Sequence, residues 1–164
     1  MPDDTAMNTQ VLQDTTAFLW AEADMLDHAE YDDWLGLWTA DGLYIVPIDP
    51  DATDHANTLN YAYDNAAMRA KRVRRLVGNE SISTMPAART IRALSRLRVI
   101  ADDGATVTVR GAQDLHEFRR ETLRQQVADV TWELDRTDGG YRIRRKVIRL
   151  INSTDALTAI GYLL

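Results

Sequence analysis

An α+β fold follows from three features of this sequence: helical spacing of apolar residues in its first half, two-residue alternation through its second, and Asp/Gly turns set between the alternating runs. Residues 10–29 place Val11, Leu12, Phe18, Leu19, Met25 and Leu26 every three or four positions, which predicts a first helix. Thr15 and Glu22 interrupt its apolar stripe. Tyr31, Trp34, Leu35 and Trp38 continue at the same spacing as a second, short helix, and Asp41-Gly42 ends it with a turn. Leu43-Tyr44-Ile45-Val46 is rich in β-formers and stops at Pro47, so it reads as a strand near a sheet edge. A polar loop over 49–59 follows.

Residues 60–77 form a narrow stripe of Tyr63, Ala66, Ala67, Ala70, Val73 and Val77, flanked by Arg69, Lys71, Arg72, Arg74 and Arg75, which predicts a third, basic helix. A loop over 78–88 contains Pro86. Alternation then predicts strands over 91–101, 105–119, 122–136 and 141–152. Asp102-Asp103-Gly104 and Thr137-Asp138-Gly139-Gly140 supply hairpin turns between them. The 164 residues make one domain, 1–164, with no linker or repeat.

The composition, 45% hydrophobic and 27% charged, is that of a globular chain rather than a disordered or fibrous one. Its longest strongly apolar stretch, Gly42 to Ile48, is far below the ~20 residues a bilayer crossing needs, so no membrane partner is expected. The acidic start MPDDTAMN lacks a basic, apolar leader, which predicts a cytoplasmic protein. There is no cysteine, so neither a disulfide nor a thiolate-held metal or iron–sulfur cluster can be built from this chain.

The net charge of −6 conceals a division. Residues 1–66 hold fourteen Asp or Glu and no Lys or Arg, whereas the remainder holds nineteen basic residues, seventeen of them Arg, against eleven acidic ones. A net acidic chain repels phosphate at long range, and the basic helix lacks interleaved aromatics on which bases could stack, so nucleic acid is not an expected partner. A charge match within the fold or between subunits is the better reading, because Arg forms the bidentate, partly buried contacts that Lys makes poorly. Arg72 and Arg75 on the helix, with Arg92 and Arg96 on the following strand, are the candidate interface residues.

No Gly-rich loop opens a helix, so nucleotide binding is disfavoured. The loop from Asp49 to His55 has the look of a calcium loop, yet it lacks the glycine at its sixth position and has Asn60 in place of the bidentate Glu. His28, His55 and His116 form no helical pair. Asp114 and His116, two apart on a strand, share a face on which a carboxylate can orient an imidazole. Val107, Val109 and Leu115 place the core on the other face of that strand and leave this pair outside. Asp41 with Tyr44, at the start of a strand, is the second acid/base candidate. Trp20, Trp34, Trp38 and Trp132 are expected as core or interface anchors, and a core of this size is not expected to enclose all four, which predicts self-association.

Read together, FLWAEADMLDHAEYDDWLGLWTADGLYIVP (18–47), RVRRL (72–76), Pro86, ARTIRALSRLRV (88–99) and GGYRIRRKVIRLI (139–151) resemble, in order and spacing, the small or beta subunit of Rieske-type aromatic-ring-hydroxylating dioxygenases. The resemblance spans most of the chain. It implies the cone of helices on a strongly curved, mainly antiparallel sheet shared with nuclear transport factor 2. It also implies a trimeric subunit assembled as three alpha with three beta, in which the alpha chain carries the Rieske cluster and the mononuclear iron and this chain holds no cofactor, metal or catalytic residue. The sequence departs from the family where Arg92 and Arg96 replace the usual His and Asn, and where GAQDLHE (111–117) is more polar. The alternative is a stand-alone cone-fold isomerase or dehydratase using Asp41, Tyr44, Asp114 and His116 on a ligand in the cup.

Overall fold

A computed structural model describes residues 4–79, 88–154 and 163–164. The chain runs α1 (Asp4–Asp27), α2 (Tyr31–Leu35), β1 (Trp38–Pro47), a 3-10 turn (His55–Asn57), β2 (Asn60–Asp64), α3 (Ala66–Asn79), β3 (Arg89–Asp102), β4 (Thr106–Arg119), β5 (Thr122–Thr137) and β6 (Gly140–Leu150). One six-stranded sheet has the order β2-β1-β6-β5-β4-β3, antiparallel throughout except for the parallel β1/β6 pair. The helices and this open sheet form the α+β architecture expected, with the β3–β6 meander within a few residues of the alternation in the sequence. The loop expected over 78–88 falls largely outside the described residues.

In β4 the odd-numbered residues Val107, Val109, Gly111, Gln113, Leu115 and Glu117 face inward, as alternation requires. They meet Ala128, Val130, Trp132 and Leu134 of β5 and the inward face of α1 through Leu19 and Leu26. The sheet is bent by bulges. Between Ser95 and Arg98 the β3 register slips, Arg96 takes a left-handed φ of 44°, and Leu97 crosses Gly111, where an added Cβ would come within 2.4 Å of the leucine Cδ2.

Three expectations are corrected. The second helix stops at Leu35 rather than near Trp38, because Gly36 closes it and Trp38 already pairs with Ile143 of β6. Asp41-Gly42 is not a helix-ending turn but part of β1, which inserts four residues between Trp38 and Leu43 where β6 has one between Ile143 and Arg145. Gly42 is needed there, since a Cβ would lie 2.9 Å from both the Ile143 carbonyl oxygen and the Trp38 ring. Residues 60–64 are a strand, not the first turn of a helix. Tyr61-Ala62-Tyr63 fits either period, and pairing Ile45 with Tyr63 and Val46 with Ala62 decides it. The helix begins one residue after Asn65, whose Oδ1 accepts the Met68 N–H at 3.0 Å as an N-cap.

Candidate functional site

The alternative of an acid/base enzyme with a ligand in the cup turns on the groups inside it, between helix and sheet. Glu22, on the inward face of α1, is 1% exposed. Its carboxylate accepts the Trp34 indole N–H at 2.8 Å, the Trp132 indole N–H at 3.2 Å and the Lys146 ammonium at 2.9 Å. Burial pulls the Lys146 pKa down and the Glu22 charge opposes that pull. Lys146 also donates to the Leu164 carbonyl at 3.3 Å, and the Leu164 N–H donates to the Tyr44 hydroxyl at 2.8 Å. Arg92 donates to the Leu163 carbonyl and to Asp27. The buried charges of Glu22, Lys146 and Arg92 are thus engaged by fixed partners. The sequence reading did not single out this pair; the signal available was Glu22 breaking the apolar stripe of α1.

Tyr44 is buried among the rings of Trp34 and Trp38, at centroid distances of 6.4 Å to each, and burial pushes its phenol up to about 12. Asp41 is exposed and accepts the Thr39 hydroxyl at 3.0 Å, so strand geometry separates the two residues of that candidate pair. Asp114 and His116 do meet, Nε2 to Oδ1 at 3.0 Å, with Gln125 donating to the same carboxylate oxygen at 2.8 Å. Both side chains are nearly half exposed, at 44% and 49%, on the outer side that the alternation of β4 assigns them.

The Arg candidates divide. Arg72 pairs with Asp64, which is buried, and Arg92 pairs with Asp27, while Arg96 reaches Asp129 at 2.8 Å on the outer face. Arg75 is exposed on α3. Arg69, not singled out as an interface residue, is buried with its guanidinium 4.1 Å from the centroid of the Trp38 ring and donates to the carbonyls of Gly42 and Asp64. Of the four tryptophans, Trp34, Trp38 and Trp132 are buried and Trp20 is 58% exposed. The loop that looks like a calcium loop is organised by its own side chains: Asp49 accepts the Asp51 N–H and Asp54 accepts the Asn57 amide. Among the described residues no three His, Asp or Glu side chains converge as a metal site.

Residues 21–155 match the family model described as the ring hydroxylating beta subunit. The chain belongs to this family. The beta subunit is 30% identical over 130 residues to the small oxygenase component of the p-cumate 2,3-dioxygenase system of Pseudomonas putida, covering 78% of this chain and 72% of that one. Its fold superposes on the crystal structure of the beta subunit of the benzoate 1,2-dioxygenase of Burkholderia mallei with a TM-score of 0.75 at 26% identity, covering 92% of this chain and 96% of that one. An NTF2-like protein with a cystatin-like fold from Novosphingobium aromaticivorans superposes with a TM-score of 0.60 at 20% identity, covering 93% and 92%, and bears on the fold alone. The beta subunit is thus the small component of an oxygenase, on the cone fold that the resemblance implied.

Where α1 meets β3 the beta subunit has an open groove of about 960 Å³, lined by Trp20, Ile91, Leu94, Phe118 and Leu123, with His116 also on its wall. There Asp27 holds the exposed edge of β3: its Oδ2 accepts the Arg92 N–H at 2.8 Å and its Oδ1 accepts the Thr90 hydroxyl at 3.0 Å. An edge strand tied to a helix in this way is blocked from pairing with another strand at that point. No helix among the described residues is long and apolar enough to cross a membrane.

Proposed function

We propose that this beta subunit, one domain over 1–164, is the non-catalytic assembly component of a cytoplasmic ring-hydroxylating dioxygenase. Its larger alpha partner carries a Rieske iron–sulfur cluster and a mononuclear iron and uses O2 to hydroxylate an aromatic acid or hydrocarbon. Three alpha chains assemble with three beta chains, the beta chains forming a trimer. The relatives named for p-cumate and benzoate support an aromatic acid among the substrates of the complex.

The observation that carries the non-catalytic reading is the state of Glu22. A general acid or base must reach a substrate proton. This carboxylate instead accepts two indole N–H groups and an ammonium in a region where Trp34 and Trp132 are fully buried. The absence of cysteine adds that any Rieske cluster must take its thiolates from another chain. The test is to express the chain alone and together with its large subunit. Alone it is expected to be colourless, free of stoichiometric iron and inactive on aromatics, and together the complex is expected to have the mass of three chains of each kind. One tightly bound iron per isolated chain, or turnover by it, overturns the reading.

A further inference from the structure

The outer face of the sheet holds a charge arrangement that the isolated chain does not balance. Arg98 of β3 and Arg110 of β4 stand directly opposite each other, and Arg110 is in turn opposite Thr131 of β5. Neither arginine has a hydrogen-bond or ion-pair partner among the described residues. Like charges placed opposite each other across two strands repel. Other arginines on this face are answered by carboxylates, Arg96 by Asp129, Arg144 by Asp135 and Arg145 by Glu133, while Arg149 donates to the Thr131 hydroxyl at 3.1 Å and adds to the positive charge. The Arg98/Arg110 pair is left as a local excess of positive charge on a surface of short side chains, Thr108, Ala112 and Thr131, that a partner can approach closely.

The complementary surface is on the same molecule but cannot reach this face. The corner between α1 and α2 exposes Asp24, Glu30, Asp32 and Asp33, and the carboxylates of Asp32 and Asp33 have no ion-pair partner among the described residues. This corner is fixed to its own chain from within. Trp34, the next residue, is buried with its indole on Glu22. The corner is therefore a rigid acidic projection, held on the interior side of the sheet.

We propose that the Arg98/Arg110 face of one beta subunit receives the Asp32/Asp33 corner of a second copy of this chain. The contact is between unlike surfaces, so it is head-to-tail, and the growing assembly keeps one free face and one free corner until a ring closes. Carboxylates brought against Arg98 and Arg110 cancel the repulsion between the two arginines. The contact accounts for the division of charge along the sequence, the acidic first part of one copy meeting the Arg-rich strands of the next. It rests on the self-association reading above and assigns the surfaces that mediate it.

The test is sedimentation of the purified full chain over a concentration series at low and high salt, with variants that reverse either surface. Arg98→Glu/Arg110→Glu and Asp32→Lys/Asp33→Lys are each expected to weaken self-association at least about tenfold. An equimolar mixture of the two is expected to recover assembly in alternating order, because the native corner of one variant meets the native face of the other and the reversed corner meets the reversed face. The quadruple variant carrying both reversals is expected to recover assembly. Arg110→Glu alone separates docking from folding: it places an acid opposite Arg98, so the thermal midpoint of the dilute monomer is expected to hold or rise while assembly falls. If the parent chain assembles and both double variants assemble equally well, the surface assignment is overturned and self-association stands. If the parent is monomeric at every concentration, the self-association reading fails and takes this contact with it. Loss of large-subunit capture by Arg98→Glu/Arg110→Glu, with self-association unchanged, assigns the face to the large subunit and overturns the proposal.

Discussion

The Lys146 ammonium and the Glu22 carboxylate meet at 2.9 Å across 124 positions of sequence, each side chain 1% exposed. The pair ties α1 to β6 through the middle of the cone. A buried pair of this kind contributes modestly against an apolar replacement, but loss of one member leaves the other charged and unsolvated. Glu22→Leu also strands the indole N–H groups of Trp34 and Trp132. It is expected to lower stability by about 3–5 kcal/mol in urea unfolding. Glu22→Gln with Lys146→Met removes both charges, keeps an acceptor for an indole, and is expected to recover more than half of that loss. A Glu22→Leu variant as stable as the parent contradicts the role assigned to the pair.

Gly42 should not tolerate alanine. The added Cβ meets the Ile143 carbonyl and the Trp38 ring, each at 2.9 Å, and the Gly42 carbonyl receives Arg69. Overpacking against backbone of this kind costs about 1–3 kcal/mol. Gly78→Ala, within α3 and with nothing within 4 Å of the new methyl, is the control and should hold or raise the thermal midpoint.

The 3-10 turn is expected to make the fold sensitive to mild acid. His55 is 6% exposed, and burial, followed by the charges of Arg149 and Arg145, holds its pKa below the usual 6.5, with Asp54 opposing. The unfolded chain therefore takes up a proton at a higher pH than the folded one. The contribution of His55 is present above the unfolded value and is lost as pH falls through the folded pKa. Stability measured by urea is expected to fall from about pH 7.5 to 5.5, and His55→Gln should flatten that slope. An equal slope in the variant contradicts the assignment.

The Asp114/His116 pair is geometrically able to hold an imidazole tautomer, so its role needs a direct measurement. Because it sits half exposed on the outer side, Asp114→Ala and His116→Ala are expected to leave turnover per assembled complex within a few-fold of the parent. A general acid or base would instead cost about a hundredfold or more. A loss of that size with assembly intact would replace the non-catalytic reading with the acid/base alternative.

Reversal of Arg72 or Arg92 should act first on the fold. Arg72 answers Asp64, whose side chain is 1% exposed, and Arg92 is 2% exposed in its side chain and bound to Asp27. Arg72→Glu and Arg92→Glu are expected to lower the thermal midpoint of the isolated chain, whereas Arg75→Glu, on the exposed side of α3, should not. Thermal unfolding of the three isolated variants checks the ordering.

What could be read directly from the sequence is what depends on neighbours in the chain. The alternation of β4 placed Val107, Val109 and Leu115 inward and Asp114 and His116 outward, because successive side chains on a strand face opposite ways whatever lies across from them. Turn residues located the β3–β4 and β5–β6 hairpins, while the β4–β5 turn at Arg120-Glu121, both with positive φ, carried no such signal; the absence of cysteine bounded the chemistry. Tertiary structure decided what depends on pairing at a distance. Residues 60–64 became a strand because β1 lay alongside to bond them. Arg72 and Arg92, read from the sequence as interface candidates, were drawn to Asp64 and Asp27 within the chain. Glu22 and Lys146 were only a polar break in one stripe and one lysine in a β-run until the sheet wrapped onto α1 and brought the charges together. Burial of a charge is a property of the folded surroundings and its partner, and local periodicity carries no information about either.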